Sequence, residues 1–110
     1  MNQTRFINLT PHAIRVVSPN GNIIHTFPAN GRVARVETQE VQTALVNGKI
    51  PVFGVAYGDI TGLPEPIKGT RYIVSGLVKA AASYRIDLVS PHGLVRDSNG
   101  AVIGCLGLAV

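Results

Sequence analysis

The sequence predicts a mainly β fold of the α+β kind: an antiparallel, hairpin-rich sheet or small barrel or sandwich, with one short helix near residues 76–84. Three observations predict it. Asn-Gly occurs four times, at Asn20-Gly21, Asn30-Gly31, Asn47-Gly48 and Asn99-Gly100. Both residue types tolerate the positive φ of tight turns, and such a pair between β-rich runs is the strongest short-range hairpin signal. The runs between these pairs are short and rich in Val, Ile and Thr. Only the stretch after Ser75 has a helical period, with Leu77, Val78, Ala81 and Tyr84 on one face.

Taken in order, each Asn-Gly pair predicts a hairpin. Ser18-Pro19-Asn20-Gly21, Pro28-Ala29-Asn30-Gly31 and Asp97-Ser98-Asn99-Gly100 suit a type I turn closed by a left-handed Gly. In the first hairpin a three-residue turn sets Arg15 opposite His25, whereas a two-residue turn sets Val16 there. Val46-Asn47-Gly48-Lys49 suits a two-residue loop, which pairs Leu45 with Ile50, Thr43 with Val52 and Val41 with Gly54. That face is mostly apolar and is expected to be the core side, while Pro51, lacking an amide donor, marks an edge or bulge. Residues 58–70, with two prolines and three glycines, read as a long loop. A strand over 71–74 leads to Ser75 as a helix N-cap, with Arg85 suiting the helix end. A last strand over 86–89 is expected to break at Ser90-Pro91. Leu9-Thr10-Pro11-His12-Ala13-Ile14 echoes Val89-Ser90-Pro91-His92-Gly93-Leu94, either a duplicated hairpin or convergence on good turn chemistry.

A chain of 110 residues is one domain in size and buries roughly 65% of its unfolded surface without staples. The whole chain, 1–110, is expected to be a single globular domain. It is 45% hydrophobic and only 15% charged, which excludes disorder and leaves apolar surface for a second copy or another partner. A homo-oligomer is favoured over a monomer. The net charge is +4, yet the seven arginines are scattered singly and aromatic residues are few. Nucleic acid is therefore an unlikely partner. The lone Cys105 excludes an internal disulfide and multi-cysteine zinc sites. Residues 1–10 lack the apolar stretch of a signal peptide, and no run approaches a membrane span. A cytoplasmic location is the expectation.

Several residues qualify for chemistry, each beside a plainer role. His12 and His92 each follow a Thr/Ser-Pro pair; converging with His25 or Cys105 they would bind a metal or shuttle a proton, and otherwise they occupy exposed corners. No close His pair exists, so neither a structural metal nor a cofactor is expected. Ser75 and Gly76 at the helix start, with Thr70 and Arg71 just before, would cradle an anion, or Ser75 is an ordinary cap. Arg96 beside Asp97 is a candidate charged pair, although turn chemistry alone accounts for Asp97. Cys105, in an apolar run, reads as a small core residue.

Phe6-Ile7-Asn8-Leu9-Thr10-Pro11-His12-Ala13-Ile14, Gly62-Leu63-Pro64-Glu65-Pro66, Gly69-Thr70-Arg71-Tyr72-Ile73-Val74-Ser75, Asp87-Leu88-Val89 and Leu94-Val95-Arg96-Asp97 span most of the chain. Together they resemble a family of small, uncharacterised bacterial and bacteriophage proteins. The resemblance implies a bacterial or phage setting, where small single-domain proteins often bind and block a host protein or hold a nucleotide signal. It implies no chemistry.

The expected function is therefore that of a non-catalytic binding protein for a protein partner or a small anionic ligand. Its ligand-binding candidates are Thr70, Arg71, Ser75, Gly76, His12, His92 and Arg96. The alternative is a small enzyme using His12 or His92 as acid-base groups near Ser75. Buried, converging histidines favour the enzyme and exposed ones the binding protein.

Overall fold

A computed structural model describes residues 3–110. In chain order the elements are β1 (Arg5–Asn8), β2 (Ile14–Val17), β3 (Ile23–Phe27), β4 (Arg35–Val46), β5 (Ile50–Thr61), β6 (Thr70–Ile73), α1 (Gly76–Ala81), β7 (Leu88–Arg96) and β8 (Val102–Ala109). The fold is mainly β with one short helix. Six strands form the body, in the order β1-β6-β7-β8-β2-β3, and β4 with β5 forms a separate two-stranded ribbon.

Turn chemistry accounts for the antiparallel pairs. β2–β3 turns at Asn20-Gly21, β4–β5 at Asn47-Gly48 and β7–β8 at Asn99-Gly100. The remaining neighbours, β1 with β6, β6 with β7 and β2 with β8, are parallel. Parallel pairing needs a long crossover, and α1 supplies one between β6 and β7. The fourth expected hairpin is absent. Gly31 has the left-handed φ of 93°, but residues 28–34 connect the edge strand β3 to the ribbon, and β3 does not pair with β4.

Bulges revise two registers. In the first hairpin Ser18 N–H donates to Asn22 O and Gly21 N–H to Ser18 O, the three-residue turn. The register then slips between Val16 and Val17, so His25 faces Val16. A bulge has joined one predicted turn to the other turn's register. In the ribbon, Val41 pairs with Gly54 as expected, but the ladder shifts between Gln42 and Ala44. The tip pairs are accordingly Ala44 with Val52, Leu45 with Pro51 and Val46 with Ile50, rather than Thr43 with Val52 and Leu45 with Ile50. Asn47 and Gly48, at φ 54° and 69°, make the tight turn.

Boundaries also move. β5 runs on to Thr61, so the expected loop over 58–70 shrinks to residues 62–69. The helix ends at Ala81 rather than 84; Ser75 caps it, its Oγ accepting from Val78 N–H at 3.2 Å. Its one buried residue is Val78, with the cap Ala82 buried four residues on, while Leu77 and Tyr84 are exposed. β7 continues through Ser90-Pro91 instead of breaking there. β6 reaches only as far as Val89, so Pro91 sits past the end of that ladder and its missing N–H deprives no strand.

The core follows from this order. Tyr72, Val74 and Leu88 share one face of the sheet with Leu9, and Val78 of α1 and Ala82, the cap that follows it, close over them. Burying a side chain of the size of Val78 contributes about 1.5–3 kcal/mol. Val36, Ile60 and Leu63, at the root of the ribbon, pack against the same cluster. The sheet also curls until its edge strands meet: Asn8 Nδ2 donates to Phe27 O at 3.1 Å, and the Phe6 and Phe27 rings meet edge-on at 5.4 Å. No described helix is long and apolar enough to cross a membrane.

Candidate functional site

The residues singled out in the sequence occupy separate places. Thr70 is buried, and with Arg71 it borders a depression of about 320 Å³ together with Pro66, Lys68 and Asp87. Gly76 borders a different one, of about 540 Å³, with Lys79, Ser83 and Ser90. The anion cradle expected from these residues is thus divided between two shallow surfaces, and the Ser75 hydroxyl already serves the cap. Arg96 Nη1 donates to Gly100 O at 2.8 Å, bracing its own hairpin. Asp97 Oδ1 accepts from Asn99 and Ala101 N–H at 2.9 and 3.0 Å.

His12, His25 and His92 are all exposed. His12 borders an open depression of about 480 Å³ with Arg15, Leu94, Ile103 and Cys105, which His92 does not line. His25 lies against the Phe27 ring at 4.4 Å. Cys105 is buried, its Sγ 3.5 Å from Arg15 O. The described residues contain no group of three or more His, Cys, Asp or Glu placed to hold a metal.

Two polar clusters missed in the sequence hold the body together. Asn8 Oδ1 accepts from Thr10 N–H at 2.9 Å, and Asn8 Nδ2 donates to His12 O at 2.8 Å as well as to Phe27 O. Thr10 Oγ1 lies within reach of Asn8 Oδ1 and His12 O, at 2.7 and 2.9 Å, its single proton serving one at a time. Asn8 and Thr10 are buried, so the Asn-Leu-Thr-Pro-His stretch is a knot that shapes its loop and pins β3. Arg85 grips Asp87 with two bonds of 2.8 Å and Pro64 O with a third of 2.9 Å, fastening residues 62–69 to the turn before β7. The hydrogen bonds from Arg85 hold the Asp87 carboxyl below its usual range, against the opposing effect of burial, and Asp87 in turn raises Arg85.

The ribbon has no comparable anchorage beyond its root. From residue 37 to residue 53 every position is exposed. Tyr57, Val55 and Phe53 form a row along one face of β5, while Val52 and Ile50 lie on the other, beside Val41 and Val46 of β4. All of these are exposed, Phe53 at 57% and Val55 at 54%. The apolar face expected to be the core side therefore has nothing over it, and neither has its reverse. Among the described residues β4 and β5 pair only with each other, leaving the outer edge of each without a ladder. The sequence signal was present: between Val41 and Tyr57 the only charge is Lys49. What was lacking was any local cue that the hairpin extends past the body. A compact domain of 110 residues has a radius of gyration of about 13 Å; here it is 16.9 Å, with a longest dimension of 57 Å.

Exposed apolar faces and unpaired strand edges of this kind are the features on which polypeptide contacts are commonly made. Comparison of the chain with known protein families, with curated proteins and with solved structures finds no match in any of the three.

Proposed function

We propose that this chain is a non-catalytic binding protein, of bacterial or phage origin as its sequence resemblance implies, that engages a protein partner through the β4–β5 arm. The observation that carries the reading is the arm: seventeen residues, 41–57, with a single charge, held out from the body and exposed on both faces. A monomer gains nothing from such a surface, which risks edge-to-edge aggregation unless a partner covers it. The exposed, dispersed histidines support a binding role over acid-base catalysis, since a general base needs a positioned partner. The small-anion version has weaker support, because α1 has only six residues and its cap hydroxyl is engaged.

The test is photo-crosslinking in extract of the source cells, with a photoreactive side chain at Val55 and, as a control, at Ser98. The reading expects one discrete protein adduct from the arm position and none from the control. Unmodified chain should compete away an adduct with a different protein, or itself become the partner in a self-adduct, whereas a variant carrying Val41→Asp and Val55→Asp should do neither. Equal labelling at both positions, or no adduct from the arm, would overturn it.

A further inference from the structure

We infer that the arm's partner is a second copy of this chain, the two arms lying antiparallel against each other across a two-fold axis near mid-arm. The inference rests on the arm being the contact element and adds the identity of the occupant.

Area is the first argument. The chain exposes 7689 Å² for a mass of 11.6 kDa. A compact monomer of that mass exposes about 5,800 Å², so about 1,800 Å² is in excess. A standard interface takes about 800 Å² from each partner and an obligate dimer commonly more than 1,000 Å². The excess falls in the obligate range, and the arm provides eight large exposed apolar side chains toward it: Val41, Leu45, Val46, Ile50, Val52, Phe53, Val55 and Tyr57.

Symmetry is the second. An arm docked on the body of another copy closes only if that copy's arm returns to the first body, and otherwise it gives a ring or an open fibre. Arm against arm is self-complementary and covers both copies in one closed contact.

Charge is the third. The ribbon carries Lys49 at its tip and Glu37 and Asp59 toward its root, with Glu40 nearer mid-arm and Arg35 at the start of β4. Parallel arms would bring tip lysine against tip lysine. Antiparallel arms of equal length bring each Lys49 to the acidic root of the other, with Val41, Gln42, Phe53 and Gly54 near the axis.

The experiment is native mass spectrometry with light scattering on the purified full chain at micromolar concentration. A dimer is expected, and Val41→Asp with Val55→Asp, one on each face, should reduce it to a folded monomer of unchanged melting temperature when dilute. Lys49→Glu should weaken association about threefold to tenfold, since the axis counts each weak surface pair twice. Adding Glu37→Lys and Asp59→Lys to it should restore association. A cysteine at Val41 or Gln42, the mid-arm position on each face, should give a disulfide-linked dimer from at least one, whereas Lys49→Cys should give none; this readout holds even if a charged variant folds poorly. A monomeric parent, an open series of oligomers, or cross-linking at the tip alone overturns the inference. A monomer whose arm captures a different protein overturns it while leaving the binding function standing. A monomer with no arm adduct removes both.

Discussion

The body and the arm are made from the same residue types by the same turn chemistry, yet the physics that holds them differs. In the body, Val, Leu and Tyr side chains are 0–2% exposed at Val74, Val78, Leu9 and Tyr72. In the arm, Val55 and Phe53 are more than half exposed. The body is stabilised by burial, by the Asn8–Thr10 knot and by the Arg85–Asp87 clamp. The arm is held by its own ladder and by Val36 and Ile60 at its root. An isolated two-stranded ribbon is marginal in water, so the arm depends on that root and on whatever covers it. Hydrophobic residues thus stand in two settings in one chain: enclosed by other elements they fold it, and on the ribbon they remain in solvent.

The largest expected effect separates the two regions directly. Leu9→Ala, at the centre of the cluster, should lower stability by about 2–5 kcal/mol. Phe53→Ala should change that of the dilute monomer by about 0.5 kcal/mol or less. Urea melts of both variants beside the parent would measure this, and equal losses would erase the distinction between body and arm.

A pair of glycines sharpens it. Gly62, at φ 77°, lies where the arm rejoins the body, and a Cβ there would overlap the Val33 carbonyl. Gly48, at φ 69°, turns the tip with open space around it. Both alanine variants carry the left-handed penalty of about 1–2 kcal/mol. Gly62→Ala must in addition shift backbone, so its melting temperature should fall clearly further than that of Gly48→Ala.

Next in size is Asn8→Ala, which removes the side chain that joins His12 and Phe27 carbonyls to β1. It should cost about 1–3 kcal/mol for the buried groups left unpaired. Hydrogen exchange should show the loss around residues 9–13 and at β3, with the arm amides unchanged. Protection lost equally in the arm would mean that the knot supports both regions.

The smallest expected effect is electrostatic. Bonding to Arg85 lowers the Asp87 pKa in the folded chain. The clamp's contribution is therefore present above the unfolded carboxylate value and is lost as pH falls through the lower folded one. The difference in urea midpoint between the parent and Asp87→Asn should be largest near neutral pH and should narrow as the acid side is reached. A difference independent of pH would remove ionisation from the account of the clamp.

Sequence reasoning reached different depths in the two regions. The turns at Asn20-Gly21, Asn47-Gly48 and Asn99-Gly100, the Ser75 cap and the buried Cys105 were all legible, because each depends on residues adjacent in the chain or on plain apolar character. Asn30-Gly31 has the same chemistry and makes no hairpin, since a turn permits pairing but cannot supply a partner strand. His12 and His92 looked alike from their neighbours, yet only His12 borders the depression beside Cys105. Asn8 gave no signal, as its acceptors lie on His12 and on the distant Phe27.

The sequence alone determined the β-rich character, the turn chemistry of the four Asn-Gly pairs, the helix start and the low-charge run between Val41 and Tyr57. These follow from φ preferences, capping and composition, which act over a few residues. Only the tertiary structure decided which three of those turns join paired strands, that β1, β6 and β7 pair in parallel, that bulges shift all three hairpin registers, and that one apolar hairpin stands outside the core while others close it. The physical reason is range. Side-chain alternation says which residues share a face, but whether that face is covered depends on where the rest of the chain lies, and here the covering elements are spent at the arm's root, over Tyr72 and Leu88.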